Sequence, residues 1–278
     1  MFADSDAQRA LEAVLSRARR PLPAGWEPWR LEGCARPLGV LPPERARELS
    51  SLMPADLPLV REAEGWLWRA RNASAARRSI ALQAVAEHWR ASGLIAGWRN
   101  EAYACWDSRE DPWPYSGVEL FRLERAAFRT LGLRSHAVHI HGLTPDGRMW
   151  CGRRSAHKAT NPGLLDNLAA GGIAADESPV ACAVRELFEE AGLSRSGDEL
   201  RMPFFSVLTE RVEPEGWHSE RLFVSSIQVD ANESPANLDG EVSGFMLFEP
   251  AEVVSRIAAG EFTEDAACAI AVAFSAAA

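Results

Sequence analysis

Three glutamates, an arginine and a pair of glycines lie close enough along the chain to hold a metal ion. They fall in the run from Gly171 to Leu193, GGIAADESPVACAVRELFEEAGL. Ser178 followed by Pro179 predicts a helix start, because a serine oxygen caps the first free N–H groups and proline presets the first turn. Gly192 predicts its end. At about 100° per residue, Glu186, Glu189 and Glu190 share an arc of about 100°. Val180, Val184, Leu187, Phe188 and Ala191 fall opposite, on the face expected to pack. Like charges three and four residues apart repel, and Arg185 offsets part of this, most directly through Glu189 at i+4. Hard oxygen anions on a fixed helix suit a hydrated Mg2+ or Mn2+. The Gly171-Gly172 turn leaves main-chain carbonyls free to approach the ion. Three glutamates alone would favour a solvated acidic helix face.

The elements that must position this run read as two halves. In the first, helices are expected over residues 6–20, 43–52, 75–92 and 118–131, and short strands near residues 38–41, 65–70 and 103–106. A loop is expected at residues 112–117. Eight of the ten tryptophans precede residue 114, which reads as core and groove wall, with stacking on an aromatic ligand as the alternative. The texture changes at residues 131–136. HAVHIH (136–141) alternates, residues 144–147 are a turn, and residues 148–154 return as a strand. Further strands are expected over 204–211, 221–229 and 242–248, and helices over 179–191, 250–259 and 264–276. Interleaved strands and helices predict an α/β class, divided as 1–132 and 133–278.

The chain has 278 residues, with 30 Lys+Arg against 39 Asp+Glu, a net charge of −9 and 47% hydrophobic residues. That composition excludes wholesale disorder, and the acidic balance argues against nucleic acid as a partner. No apolar run has the length of a membrane span. The N-terminus lacks the basic and apolar regions of a secretory signal. Five scattered cysteines with no CxxC pair give neither a zinc motif nor a disulfide framework, so a cytoplasmic setting is expected. Of the basic residues only Lys158 is a lysine.

The run from Gly171 fits G-x5-E-x7-R-E-U-x-E-E-x-G-U, where U is bulky and apolar, at every fixed position: Glu177, Arg185, Glu186, Leu187, Glu189, Glu190, Gly192 and Leu193. This is the Nudix box, and the chain resembles the Nudix hydrolases. The resemblance implies an α/β/α sandwich with a mixed sheet, here preceded by a smaller Trp-rich α+β domain. It implies Glu186, Glu189 and Glu190 as metal ligands, with the Gly171 carbonyl as a further one, Arg185 orienting the carboxylates and Glu177 bracing the loop. Glu241 resembles the additional metal-binding or base glutamate near a late strand. Glu210 is a weaker candidate for the base.

The resemblance reaches beyond the box. RRSAHKATNPGLLDNLAAGG (153–172), WRNEAY (98–103) and VHIHG (138–142) are similar to a subgroup of Nudix proteins associated with thiamine pyrophosphokinase. That subgroup implies a small-molecule substrate, an oxidised thiamine diphosphate, cleaved to the monophosphate. Arg153, Arg154 and Lys158 would then clamp the terminal phosphate. The alternatives are a Nudix hydrolase of a nucleoside-diphosphate-linked substrate and a non-catalytic ligand-binding regulator. Isopentenyl-diphosphate isomerases share a looser version of the 153–163 stretch, but their box diverges and their catalytic cysteine lies in a different context. His139 and His141 share a strand face and could ligate a transition metal; packing beneath the first domain is the favoured reading. Cys151 and Cys182 read as buried small residues. The oligomeric state is open, a homodimer among the options.

Overall fold

The computed structural model describes residues 5–107, 117–157, 160–230 and 232–276. Most of the 112–117 loop, and Lys158, fall outside these described residues.

In the first half, β1 (Glu27–Leu31), β2 (Gly39–Leu41), β3 (Leu59–Glu62) and β4 (Gly65–Trp68) form a sheet in the order β2-β1-β4-β3, with β1 and β4 parallel. Helices α2 (Pro43–Leu52) and α3 (Ala75–Ala91) accompany it. Trp29, Trp68 and Trp89 are fully buried in this core. The indoles of Trp29 and Trp68 lie 6.2 Å apart and donate to the carbonyls of Leu131 and Leu57. With their N–H groups anchored and their faces covered, these two rings are core and offer no stacking surface to a ligand.

The helix expected over residues 118–131 is two elements. β6 (Val118–Glu124) pairs antiparallel with β5 (Ala102–Asp107), and α4 (Arg125–Thr130) follows. The apolar residues of this stretch fit either period, and pairing with β5 decides for the strand. The Glu124 carboxylate then accepts from Ala126 N at 3.2 Å and caps α4, which is where the strand stops.

The second half is built on β7 (Arg134–Leu143), β8 (Met149–Arg154), β9 (Leu165–Asp166), β10 (Ala169–Gly172), β11 (Phe205–Glu213), β12 (Gly216–Gln228) and β13 (Val242–Phe248). The sheet runs β11-β12-β7-β8-β13, with β10 also paired to β7 and β9 to β8. β12 and β7 are parallel and the other pairs antiparallel, so the sheet is mixed. Strand alternation sends Val138, Ile140 and Phe223 to one face, where they bury against α5 (Pro179–Ala191). Ala137, Leu222 and Val224 go to the other face, against α7 (Glu264–Ala276), with α6 (Pro250–Ala258) alongside. The result is an α/β/α sandwich. The first helix, α1 (Ser5–Arg17), packs on α6 and α7 through Leu11, Val254 and Ala271. Among the described residues no helix is long and apolar enough to cross a membrane.

Candidate metal centre

The centre is organised by α5. Ser178 Oγ accepts from Ala181 N at 3.1 Å, and Pro179 occupies the first turn. Gly192 ends the helix in the left-handed region, φ 68°, with its N–H on Phe188 O. The buried stripe is Cys182, Ala183, Glu186, Leu187, Glu190 and Ala191. Of the face expected to pack, Leu187 and Ala191 are buried and Val180 and Val184 pack against the core, but Phe188 does not, and the carboxylates are not all on the solvent side. Phe188 is 51% exposed, whereas Glu186 and Glu190 are each only 8% exposed. α5 leans on β10 and β7, sharing one apolar core in which Ala183 and Leu187 are buried with Val138, Ile140 and Ala169. On that buried stripe two carboxylates, those of Glu186 and Glu190, lie inward.

Arg185 is the counter-ion of the helix. Its Nε and Nη2 fork onto Glu177 at 2.6 and 2.9 Å, and its Nη1 reaches Glu186 at 2.6 Å and Glu189 at 2.9 Å. Burial raises the Glu177 pKa, but the bonds and charge of Arg185 and the Ala174 N–H outweigh it, so the net shift is downward. Glu186 goes the other way. Burial pushes it from 4.5 up to about 7, Arg185 opposes, and the charges of Glu189 and Glu177 add to the rise. A buried carboxylate destabilised by desolvation and like charges is one that a cation would relieve.

The second side of the centre comes from the loop before β13. Ala236 N donates to Ala191 O at 2.8 Å and Leu238 N to Glu189 O at 3.3 Å, so the loop is laced to the last turn of α5. Asp239 Oδ1 accepts from Glu241 N at 2.8 Å, and Glu241 O accepts from Ser155 N at 2.8 Å. The lacing brings carboxylate oxygens of Glu190, Asp239 and Glu241 within 4.8 Å of one another. Glu190 Oε2 also accepts from Ala170 N at 2.9 Å. The expected Gly171-Gly172 turn is the end of β10, paired with Val138 and Ala137 of β7, and a Cβ on Gly171 would overlap the Glu186 carboxylate, so glycine there lets the strand end approach it. Oxygen ligands from a rigid helix, an adjoining loop and a glycine strand end suit a hard divalent cation.

Gly171, Arg185, Glu186, Glu189, Glu190 and Glu241 are thus assembled around α5. Sequence reasoning misses Asp239; its only signal is a second carboxylate two residues before Glu241, which also reads as ordinary turn chemistry. Arg153 and Arg154 alternate along β8. Arg153 Nη1 donates to Gly163 O at 2.7 Å, and Arg154 bonds Asp166 at 2.9 Å and Thr160 O. Both shape the loop between β8 and β9. Lys158 lies outside the described residues. Glu210 does not join the centre: it sits on β11 at the far edge of the sheet, paired with Arg19 and Arg134.

His139 and His141 are buried on the face of Ala137, where α7 packs together with Val14 of α1 and Ala18 just after it. His139 Nδ1 meets Asn167 Oδ1 at 2.7 Å, and burial, with His139 adding to it, lowers His141 to about 3. Burial raises Cys151 to about 12 and holds Cys182 well above the ordinary thiol range, so both stay protonated, inert thiols. A second cluster, His218, Glu220 and Asp265, is an ion-pair network. Arg211 forks onto Asp265 at 2.8 and 2.9 Å, and Arg129 Nη2 lies 3.2 Å from His218 Nδ1. Two guanidinium groups already supply the positive charge there.

The NUDIX domain model matches residues 133–269, and a domain of unknown function (DUF4743) matches residues 68–135. Nudix hydrolase 20, chloroplastic, of Arabidopsis thaliana is 34% identical over 168 residues, 59% of this chain and 43% of that protein. Nudix hydrolase 24, chloroplastic, of the same organism is 32% identical over 185 residues, 66% of this chain and 49% of that protein. The chain therefore spans less than half the length of these two relatives. An isopentenyl-diphosphate Delta-isomerase of Streptomyces coelicolor is 31% identical over 153 residues, 53% of this chain and 74% of that protein. Among solved structures, a MutT protein from Methanosarcina mazei Go1 aligns with a TM-score of 0.42 at 16% identity, over 52% of this chain and 94% of that one.

Proposed function

Since the chain belongs to the Nudix family through residues 133–269, we propose that it hydrolyses a phosphoanhydride bond with the aid of Mg2+ or Mn2+. The observation that carries this reading is the convergence of Glu190, Asp239 and Glu241, with Glu186 also turned inward on the same helix. Glu186, Glu189, Glu190, Glu241 and the Gly171 carbonyl would hold the cations, with Asp239 alongside. When bound, the metal supplies Lewis acidity at the phosphoryl oxygens and neutralises the diphosphate. The residues do the rest. Arg185 keeps Glu177, Glu186 and Glu189 in fixed orientation. Asp239 and Glu241, held by the loop, are the candidates to take the proton of the attacking water as the P–O bond of the anhydride breaks.

For the substrate we favour an oxidised thiamine diphosphate, released as monophosphate and inorganic phosphate. The support is the subgroup resemblance of residues 98–103, 138–142 and 153–172. Arg153, Arg154 and Lys158 are assigned to the terminal phosphate on the same ground, although in this structure Arg153 and Arg154 bond the adjoining loop. Residues 1–132 are an accessory unit in this reading and residues 133–278 the catalytic one. None of the five cysteines is in a disulfide, which suits a reducing compartment such as the cytoplasm.

The test is a panel of diphosphates with products identified, with and without Mg2+: oxidised thiamine diphosphates, thiamine diphosphate, nucleotide sugars and isopentenyl diphosphate. Faster turnover of the oxidised thiamine compounds supports the substrate assignment, and faster turnover of nucleotide sugars replaces it. Glu190→Gln should reduce hydrolysis by at least about 10²-fold, the minimum for an essential catalytic carboxylate. Near-normal turnover by that variant would remove α5 from the chemistry, and phosphate release by wild type at a useful rate would exclude the regulator.

A further inference from the structure

The first half of the chain reaches the end of β10 and the turn after it directly. Ala175 N donates to Ala102 O at 2.8 Å, and Arg122 Nη1 pairs with Asp176 at 2.6 Å. Between these two ties stands Tyr103, 7% exposed, with its hydroxyl where a Cβ on residue 172 would be. Its ring is fixed from behind. It meets Phe128 edge-on at 5.4 Å, and the Arg125 guanidinium lies over it at 5.3 Å, itself paired with Glu101. The strand end is therefore held from both sides: Tyr103 occupies the side-chain space of Gly172, and Glu186 that of Gly171. Gly171 and Gly172 end β10, paired with Val138 and Ala137 of β7, and the two side chains flank them on either side before the chain turns at residues 175–176 into α5.

We propose that Tyr103 is a positioning residue for the metal centre. By filling the space at Gly172 it fixes the end of β10 against Glu186, which makes the first domain a working part of the site. This rests on the metal-dependent reading above and assigns a task to the region matched by a domain of unknown function. The effect is geometric. Tyr103 need not touch the metal or the substrate, because a shift of the strand end displaces both the Gly171 carbonyl and the Glu186 carboxylate that abuts it.

The experiment is Mn2+ binding by the full chain, read from the EPR signal of free Mn2+, with thermal unfolding in EDTA as a control for folding. Tyr103→Ala should weaken Mn2+ binding by about 10-fold or more, as loss of an outer support of a metal site does. Tyr103→Phe keeps the ring against Gly172 and should bind as wild type. Gly172→Ala drives a Cβ into Tyr103 and should weaken binding on its own, but add little in the Tyr103→Ala background, since the two changes act on one space. If Tyr103→Ala does not fold, Tyr103→Leu replaces it. Unchanged Mn2+ affinity in a folded Tyr103→Ala or Tyr103→Leu variant overturns the proposal, as do additive effects of Tyr103→Ala and Gly172→Ala. A wild-type chain that binds no Mn2+ overturns the metal reading first, and so the two failures are told apart.

Discussion

Glu186→Gln should stabilise the metal-free protein at alkaline pH while depriving it of stabilisation by Mg2+. Burial raises Glu186 from 4.5 to about 7 against the pull of Arg185. With the folded value above the unfolded one, the native state binds more protons between these limits, so stability falls as pH rises through that window. At 1.36 kcal/mol per unit, the charged carboxylate costs the metal-free fold about 3 kcal/mol at pH 8. Glutamine fills the same volume without that charge. In EDTA the variant should match wild type near pH 4.5 and exceed it by up to about 3 kcal/mol at pH 8. The assay is urea unfolding at both pH values, repeated in Mg2+, where wild type should recover through ligand linkage and the variant should not. A variant less stable than wild type at pH 8 in EDTA would refute the reasoning. It would mean that the 2.6 Å pair with Arg185 outweighs desolvation.

Asp265→Asn should cost about 1–3 kcal/mol, because the buried Arg211 loses the carboxylate it forks onto and keeps only Glu213, at 2.6 Å, and Glu264, at 3.6 Å. Burial raises the Asp265 pKa, but the bonds from His218 and Arg211 outweigh it and hold the carboxyl well below its ordinary value. The stability it contributes is therefore present above about pH 4 and is lost as pH falls through the depressed folded value. Wild type should show this acid-side loss in urea unfolding, and the variant should not. Phe188→Ser should change stability by no more than about 0.5 kcal/mol, the range for an exposed position. A loss of several kcal/mol in the same assay would return Phe188 to the packed face that the sequence alone assigned to it.

What the sequence made legible is mostly local. Ser178, Pro179 and Gly192 delimit α5 because caps and stops act within a turn of the residue that makes them. The alternation of residues 136–141 is enough for β7. The misreading of residues 118–131 has the same root: their apolar spacing fits two periods, and the choice lies with β5, which pairs with them only in the folded chain. The packed face of α5 is misjudged when its glutamates are taken as the solvent side. Only the contacts of α5 with β7 and β10 show that two of them point inward. Asp239 and Tyr103 escape because their roles come from long-range lacing, of the 236–241 loop to the end of α5 and of β5 to the end of β10. No spacing within either segment reports those contacts.

Two clusters of metal-ligating type occur among the described residues, and the way each is held distinguishes them. At Asp265 the charge is met by side chains: Arg211 forks onto it and His218 stands 3.6 Å away. Such a site is an electrostatic clasp that fixes α7 to β11 and β12, and adding a cation would set it against the guanidinium. Glu190 and Asp239 are tied by main-chain N–H groups, from Ala170 and Glu241. A main-chain N–H orients a carboxylate oxygen without cancelling its formal charge. Carboxylate oxygens gathered within 4.8 Å of one another repel in a metal-free fold and suit a divalent ion. The electrostatic cost carried by α5 and the capacity to bind metal are therefore one property. Substitutions that relieve the first should remove the second, which is why the Glu186→Gln experiment couples a gain in metal-free stability to a loss of response to Mg2+.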